Sequence, residues 1–272
     1  VVAVRHMIDS QLYVFQYLVF RGMATTIVIL FYLFFCEGIK FYKNLIRIEF
    51  QTILGSIFLA VTFICFIFSI TKTSVAVTLF MLAAIPFITG ILGYFILSEI
   101  VSRSTLLAMI IAFIGISFMI ISDYKTGSIT GAFLGLMAAT GFSLYTITIR
   151  WKPKTPKYTT VLLAGLICSI FSFIVLNFSV DNLIKIPILN IYLSLLHGLI
   201  VAIGFILYSI GAKHLPSAEL ALLTMLEIVG GVIWVWIPIF GINEIPNVSI
   251  LTGGFTIMLA IVYYSFNLKE KY

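Results

Sequence analysis

The chain is a succession of long apolar runs separated by short polar breaks. Nine of these runs are long enough to cross the hydrocarbon core of a bilayer, about 30 Å, as helices. We place them at 12–35, 50–70, 74–97, 105–121, 131–149, 159–178, 191–212, 218–240 and 248–266. The pattern predicts an all-α integral membrane protein.

An additional helix is expected before the first of these runs. The sequence opens on four apolar residues, Val1 to Val4, directly followed by Arg5. We interpret them as the last turn of a first helix that is largely missing from this chain. The nine runs then become helices two to ten.

Two stretches of the sequence resemble each other and predict a duplication. They begin at Pro86 and at Glu227, and each has an apolar helix, a Glu (Glu99, Glu244), a polar turn and a second, Gly-containing apolar helix. A long repeat in a membrane chain is typical of duplicated transporter bundles. Five helices per half is an odd number, so the second half should be inverted. We predict a ten-helix bundle of two inverted five-helix repeats, residues 1–127 and 128–272.

Composition supports the membrane assignment and excludes other classes. The 272 residues are 62% hydrophobic and 10% charged, with a mean hydropathy of +1.20, whereas a soluble domain is about 25% charged. Every polar gap is short, so no separate water-soluble domain fits. The three cysteines lie in apolar runs without ligand spacing, so we expect no metal, cofactor or disulfide.

The distribution of the net charge of +6 predicts an orientation. If the first helix starts in the cytoplasm, the cytoplasmic turns hold eleven cations: Lys40, Lys43, Arg47, Arg103, Arg150, Lys152, Lys154, Lys157, Lys213, Lys269 and Lys271. The opposite turns hold four: Arg5, Lys72, Lys125 and Lys185. This bias places both termini in the cytoplasm, with the plasma (inner) membrane as the expected location. Juxtamembrane cations explain the basic linker Arg150–Lys157, so we expect no nucleic-acid binding.

Several motifs resemble those of EamA-type carriers of the drug/metabolite transporter superfamily. They are Phe20-Arg21-Gly22, Ile85-Pro86 with Ser98-Glu99, Leu226-Glu227 with Trp234-Val235-Trp236, and Asn243-Glu244, Pro246 and Gly253-Gly254. Their order resembles the Arg-bearing second helix, the Pro-then-Glu fourth helix and the ninth and tenth helices of that family. Two positions depart from it: Ile228 stands where many relatives have Pro, and Pro238-Ile239-Phe240 lengthens the ninth helix. The resemblance implies a ten-helix carrier for a small metabolite.

Three ionisable residues at bilayer depth are the candidate substrate- or proton-binding groups. Glu227 lies roughly 18 Å along a helix beginning near Pro216, close to the midplane, where a carboxylate costs about 2.5–3.5 kcal/mol or more. Arg21 cannot lose its charge and needs an acceptor or an anionic substrate. His197 is a candidate proton relay. Each residue also has a structural alternative. Glu227 would then be protonated and hydrogen-bonded within the bundle, Arg21 would extend to the membrane–water interface, and His197 would be a core histidine with its hydrogen bonds satisfied.

A second group of residues is predicted to line a pocket or to act as a hinge. Pro86 interrupts its helix near the middle and frees a carbonyl, which favours a cavity wall, a hinge or a plain kink. The side chains of Tyr94, Tyr145, Tyr208 and Trp234 lie within spans rather than at their ends, so their polar tips need partners. Core packing or lipid contact is the alternative for each of them.

These features together predict a secondary active transporter of a small metabolite that works by alternating access, with proton-coupled export as the first hypothesis. A metabolite importer or exchanger on the same fold is the alternative. A rhomboid-like intramembrane serine protease using Ser143 and His197 is a remote one, and we do not expect an enzyme. The expected partners are the small-molecule substrate, protons or another coupling ion, membrane lipid and, as an open alternative, a second copy in a homodimer.

Overall fold

A computed structural model describes residues 2–38, 48–73, 75–121, 128–151, 157–178, 186–237 and 248–268. Within these ranges the chain is helical and contains no strand. The helices are α1 (Val2–Arg5), α2 (Val14–Glu37), α3 (Phe50–Lys72), α4 (Val75–Leu82), α5 (Ile85–Leu92), α6 (Arg103–Ile121), α7 (Ile129–Trp151), α8 (Lys157–Phe178), α9 (Ile188–Gly211), α10 (Ser217–Leu223), α11 (Leu226–Trp236) and α12 (Val248–Leu268). A π-helical turn, Gly93–Leu97, continues α5.

The helices match the predicted apolar runs. In the described part of the chain, seven helices are long and apolar enough to span a membrane, and the apolar segment Arg103–Phe118 is shorter. Each predicted run coincides with one helix or with two adjoining helices. The all-α membrane fold is therefore confirmed, whereas the ten-helix count and the boundaries at 1–127 and 128–272 stay predictions.

Two of the predicted spans are broken near their middle. Between α4 and α5 the break precedes Pro86, whose ring nitrogen cannot donate the helical hydrogen bond. Between α10 and α11 the backbone N–H groups of Thr224 and Met225 donate to the carbonyls three residues earlier, and the Thr224 hydroxyl also donates to the Ala221 carbonyl. This tighter bonding ends α10 without a proline. The prediction of one continuous helix over 218–240 is thus wrong, and its last residues lie outside the described ones.

Helices α2 and α8 cross in antiparallel directions at a pair of glycines. The Ser169 hydroxyl donates to the Val19 carbonyl over 3.0 Å, and the Thr26 hydroxyl donates to the Leu162 carbonyl over 3.3 Å. Between them, a Cβ added to Gly22 would lie 2.7 Å from the Gly165 carbonyl oxygen. The absence of side chains lets the two backbones touch here.

The last helix of each predicted half forms a second antiparallel pair, α6 with α12. A Cβ added to Gly115 would lie 2.7 Å from the Gly253 carbonyl oxygen. At the other end of the pair, Thr105 of α6 and Tyr264 of α12 both donate to the carboxylate of Glu219. The two helices therefore run antiparallel to each other.

We expect Gly115→Ala to lower the thermal midpoint of the purified protein in detergent. The added methyl meets a backbone carbonyl that cannot move aside, and overpacking of this kind costs about 1–3 kcal/mol. Gly254→Ala on the partner helix is the matched control, since a Cβ there meets nothing within 4 Å. The control should leave the midpoint equal or higher, because Ala favours helix over Gly. Equal midpoints for wild type and Gly115→Ala would contradict the close crossing.

Candidate functional site

Arg21 lies in the first third of α2 and is buried inside the bundle. Only 4% of its surface is exposed. Its guanidinium carbon is 4.5 Å from the centroid of the Phe63 ring on α3, and Nη1 donates a long hydrogen bond of 3.5 Å to the Phe63 carbonyl. Its Nε is buried without a hydrogen-bond partner in the described structure. A permanently charged group with five donors is thus left with spare hydrogen-bonding capacity.

His197 is held next to Arg21 through Tyr17. Helix α9 runs parallel to α2, and its Gly198 allows the close approach, since a Cβ there would lie 2.5 Å from the Arg21 carbonyl oxygen. The Tyr17 hydroxyl lies 2.6 Å from Nδ1 of His197. Tyr17 precedes Arg21 by one helical turn, so the two side chains share a face of α2. The tyrosine was not foreseen, because nothing in the sequence pairs two residues so far apart.

Glu227 lies in the first turn of α11, directly after the helix break. This corrects the expectation that it lies deep inside an unbroken helix. Its side chain is exposed. Among the residues that the structure describes, Tyr17 connects Arg21 with His197, and no hydrogen bond or ion pair joins Glu227 to either of them.

An aromatic cluster extends from Arg21 between α3, α7 and α9. Its members are Phe63, Phe142, Tyr145, Phe205 and Tyr208, with neighbouring ring centroids 5.1–6.3 Å apart. The Tyr208 hydroxyl lies 2.6 Å from the hydroxyl of Thr146. Two of the predicted pocket tyrosines, Tyr145 and Tyr208, therefore lie in this cluster, and Phe63 links it to the guanidinium.

Two other predicted pocket residues lie elsewhere. Tyr94 is 59% exposed and packs edge-on against Phe95, and Trp234 is 54% exposed on α11. In a membrane chain such exposed rings are accounted for by lipid contact. Pro86 is buried at the start of α5, where the Ser143 hydroxyl of α7 donates to the Ile85 carbonyl over 3.2 Å. That contact fixes the break between α4 and α5 against α7.

The structure gives Ser143 and His197 separate partners. The Ser143 hydroxyl donates to the carbonyls of Ile85 and Ala139, while Nδ1 of His197 faces Tyr17. A serine–histidine dyad needs a hydrogen bond between the two side chains. The pair is not assembled as a protease site.

A cluster of charged and polar groups ties three helix ends together at one rim of the bundle. We call Glu99, Arg150 and Ser217 the latch. Oε1 of Glu99 accepts hydrogen bonds of 2.9 and 2.6 Å from Nε and Nη2 of Arg150. Oε2 accepts bonds of 2.7 and 2.6 Å from the backbone N–H and the hydroxyl of Ser217. Nη1 of Arg150 also donates to the carbonyls of Ala212 and Leu215.

The latch stabilises the charged form of Glu99. Burial on its own would raise the pKa of this carboxyl, but the hydrogen bonds from Ser217 and the ion pair with Arg150 hold the pKa below its usual range. Glu99 joins the end of the π-helical turn to the end of α7 and the start of α10. The sequence marks Glu99 as part of the repeated unit but does not reveal its two partners, which are remote in sequence. Its counterpart Glu244 lies outside the described residues.

The fold and its apolar helices define a multi-pass integral membrane protein. Residues 1–121 match the model of the EamA-like transporter family, which confirms the resemblance seen in the sequence. No curated protein matches the chain significantly. A solved crystal structure with 13% sequence identity superposes with a TM-score of 0.76, covering 94% of this chain and 88% of that chain. At this identity the likeness shows the fold alone.

Proposed function

We propose that this protein moves a small metabolite across the membrane by alternating access, as a secondary active transporter. The observation that carries the proposal is buried Arg21, which keeps spare donors next to the Tyr17–His197 hydrogen bond in a bundle whose first 121 residues match a transporter family. Ionisable residues are costly at bilayer depth and usually mark a substrate or proton path. Here Arg21 and His197, from distant parts of the sequence, lie on neighbouring helices and are connected through Tyr17.

Each residue has a role that follows from its surroundings. Arg21 has spare donors and one long hydrogen bond to the protein, so it binds an anionic group of the substrate. Glu227 is exposed in the first turn after a helix break, so it exchanges a proton or binds a cationic group. His197 and Tyr17 form a hydrogen-bonded pair beside Arg21. Proton-coupled export then follows if the proton and the substrate occupy this site alternately.

Alternating access requires two units that move against each other. The antiparallel pairs α2–α8 and α6–α12 each combine a helix of residues 1–127 with the corresponding helix of residues 128–272. Each half also contains one broken helix, at Ala83-Ala84 and at Thr224-Met225. Both features support two inverted repeats that rock about the site. A homodimer and a plasma-membrane location stay predictions.

The latch is the closed gate on one side of this site. Glu99 and Arg150 come from the first and second halves, and Ser217 begins the broken helix that carries Glu227. Opening this rim separates Glu99 from two partners in the other half. The positive-inside distribution of charge supports a cytoplasmic location of the latch.

A thermal-shift screen against metabolite classes tests the binding site. Purified protein is heated with amino acids, nucleosides and other small metabolites, since a ligand that binds the folded state raises the midpoint. We expect one class to stabilise the wild type and to lose its effect with Arg21→Lys. Glu219→Gln serves as a control, because Glu219 accepts bonds from Thr105 and Tyr264 away from Arg21. If a class of metabolites stabilises the Arg21→Lys variant as much as the wild type, Arg21 does not belong to the binding site.

The orientation is tested by labelling two exposed lysines at opposite rims. Lys72 ends α3 and Lys213 follows α9. We expect a membrane-impermeant amine reagent to modify Lys72 but not Lys213 in intact cells, and the reverse in inside-out vesicles, as read by mass spectrometry. Labelling of Lys213 in intact cells would reverse the topology.

A further inference from the structure

Polar atoms of Arg21, Tyr145 and Ser209 are buried without a hydrogen-bond partner in the part of the chain that the structure describes. They are Nε of Arg21 on α2, the hydroxyl of Tyr145 on α7 and the hydroxyl of Ser209 on α9. Arg21 is 4% exposed, and Tyr145 and Ser209 are completely buried. Leaving such groups unpaired inside a protein is costly, so each of them calls for a partner.

Aromatic rings connect the guanidinium of Arg21 with the two hydroxyls. The guanidinium carbon lies 4.5 Å from the Phe63 centroid, and that ring is 5.4 Å from Phe205. Phe205 lies 5.7 Å from the ring of Tyr145. The hydroxyls of Tyr145 and Ser209 act on each other, but neither stands in the geometry of a hydrogen bond. A charged donor and two neutral hydroxyls are thus separated by rings that favour contact with another aromatic ring.

One face of α9 leaves room beside these rings. His197, Gly204 and Tyr208 follow each other at spacings of seven and four residues, so they share a face of the helix. A Cβ added to Gly204 meets nothing within 4 Å, and His197 and Tyr208 are both partly exposed. The strongly exposed aliphatic residues Ile203 and Leu207 lie on another face, where lipid contact accounts for them. The open space at Gly204 therefore adjoins the aromatic cluster.

The polar groups around this space select the charge of a ligand. Arg21 has no ion pair with a carboxylate in the described structure, and its one printed hydrogen bond goes to a carbonyl. A ligand carboxylate would compensate its charge. The ammonium group of an amino acid, next to that carboxylate, would be repelled by Arg21. The hydroxyls of Tyr145 and Ser209 are neutral and match a neutral polar group at the other end of the ligand.

We propose that the transported metabolite is an aromatic monocarboxylate with a neutral polar group on its ring, rather than an amino acid. The carboxylate accepts hydrogen bonds from Arg21, the ring packs within the aromatic cluster, and the ring substituent bonds the hydroxyls of Tyr145 and Ser209. Glu227 is then left for the coupling proton. This inference rests on the proposed transport function, because it names the substrate of the same site.

A series of related compounds tests the proposal on the purified protein in detergent. Desaminotyrosine has the carboxylate, the aromatic ring and the hydroxyl. Hydrocinnamate lacks the hydroxyl, cyclohexanepropionate lacks the aromatic ring, the methyl ester of desaminotyrosine lacks the charge, and tyrosine adds an ammonium group. Apparent affinity is measured from the rise of the thermal midpoint with the concentration of each compound.

Desaminotyrosine is expected to raise the midpoint of the wild type at the lowest concentration. Loss of the hydroxyl or of the aromatic ring should each weaken apparent binding about fivefold. Loss of the charge in the methyl ester, or addition of the ammonium group in tyrosine, should weaken it at least about tenfold.

Three variants locate the bound compound. Arg21→Lys should bind desaminotyrosine at least about tenfold more weakly, and the methyl ester tests the same contact if this variant fails to fold. Tyr145→Phe should abolish the preference for desaminotyrosine over hydrocinnamate and leave hydrocinnamate binding unchanged. Gly204→Leu fills the open space and should weaken both compounds. Gly254→Leu on α12 is its matched control, because a Cβ there also meets nothing within 4 Å.

The results that would overturn this substrate class differ from those that would overturn transport. Tyrosine that binds as tightly as desaminotyrosine, equal binding of the cyclohexane compound, or no rise of the midpoint with any compound would contradict the aromatic monocarboxylate. If another metabolite class stabilises the protein through Arg21, the transport proposal stands and this substrate class is wrong. Desaminotyrosine that binds as expected but does not enter proteoliposomes would confirm the site and contradict the transport function on which the inference rests.

Discussion

Glu227→Gln is expected to abolish gradient-driven transport while leaving the protein folded and inserted. Gln keeps the shape and hydrogen-bonding capacity of a protonated carboxyl but cannot accept or release a proton. A Glu227 that only packs should tolerate the change, and a Glu227 that couples transport to protons should not. Substrate exchange between the two sides is expected to survive, because exchange does not require the empty, deprotonated carrier to return. The measurement is uptake and counterflow, in proteoliposomes, of the metabolite that raises the thermal midpoint in the thermal-shift screen.

The control for this result is Glu219, a buried carboxylate on the preceding helix. Glu219 accepts hydrogen bonds from Thr105 and Tyr264, which belong to α6 and α12. We expect Glu219→Gln to lower the thermal midpoint and to keep gradient-driven transport. Full gradient-driven transport by Glu227→Gln would return Glu227 to a packing role.

Glu99→Gln is expected to open the latch. A hydrogen bond to a charged group is worth about 1.5–3 kcal/mol, so loss of the Glu99 charge should shift the closed–open balance at least about tenfold. A cysteine placed at buried Ala218, behind the latch, reports the opening. In a background without Cys36, Cys65 and Cys168, its maleimide labelling should accelerate about tenfold with Glu99→Gln. An unchanged rate would contradict a gating role for the latch.

The same reporter gives the pH dependence of the latch. Because the pKa of Glu99 is held below its usual range, the carboxylate stays charged at ordinary pH. Its stabilisation of the closed rim is present above the normal carboxyl pKa and is lost as the pH falls through the lowered pKa. The thiol's own pH dependence cancels in the ratio of labelling rates of the Ala218→Cys reporter with and without Glu99→Gln. This ratio should thus be constant from about pH 8 to pH 5 and fall towards one only in stronger acid, and a fall near neutral pH would contradict the ion pair with Arg150.

The apolar runs predict the helices well because membrane-spanning segments must be long, apolar and internally hydrogen-bonded. The Pro86 break is equally readable, since proline removes a donor. The break at Thr224 cannot be predicted from the sequence, because it depends on hydrogen bonds to Ala221 and Leu222 that other threonines do not impose on their helices. Contacts between residues that are remote in sequence could not be predicted either, because only the folded chain brings them together. The sequence marks Arg21 and Glu99 as unusual, but only the folded chain places Phe63 under one and Ser217 against the other.

The central claim is tested most directly by proton movement that depends on substrate and on Glu227. Proteoliposomes are loaded with a pH-sensitive dye. The metabolite found to stabilise the protein is then added outside, without an imposed pH gradient. We predict that the lumen pH changes with the wild type and stays constant with Glu227→Gln, and the sign of the change distinguishes exchange against protons from co-transport with them. A wild-type protein that transports the metabolite with no change in lumen pH, or a Glu227→Gln variant with an unaltered proton flux, would contradict the account.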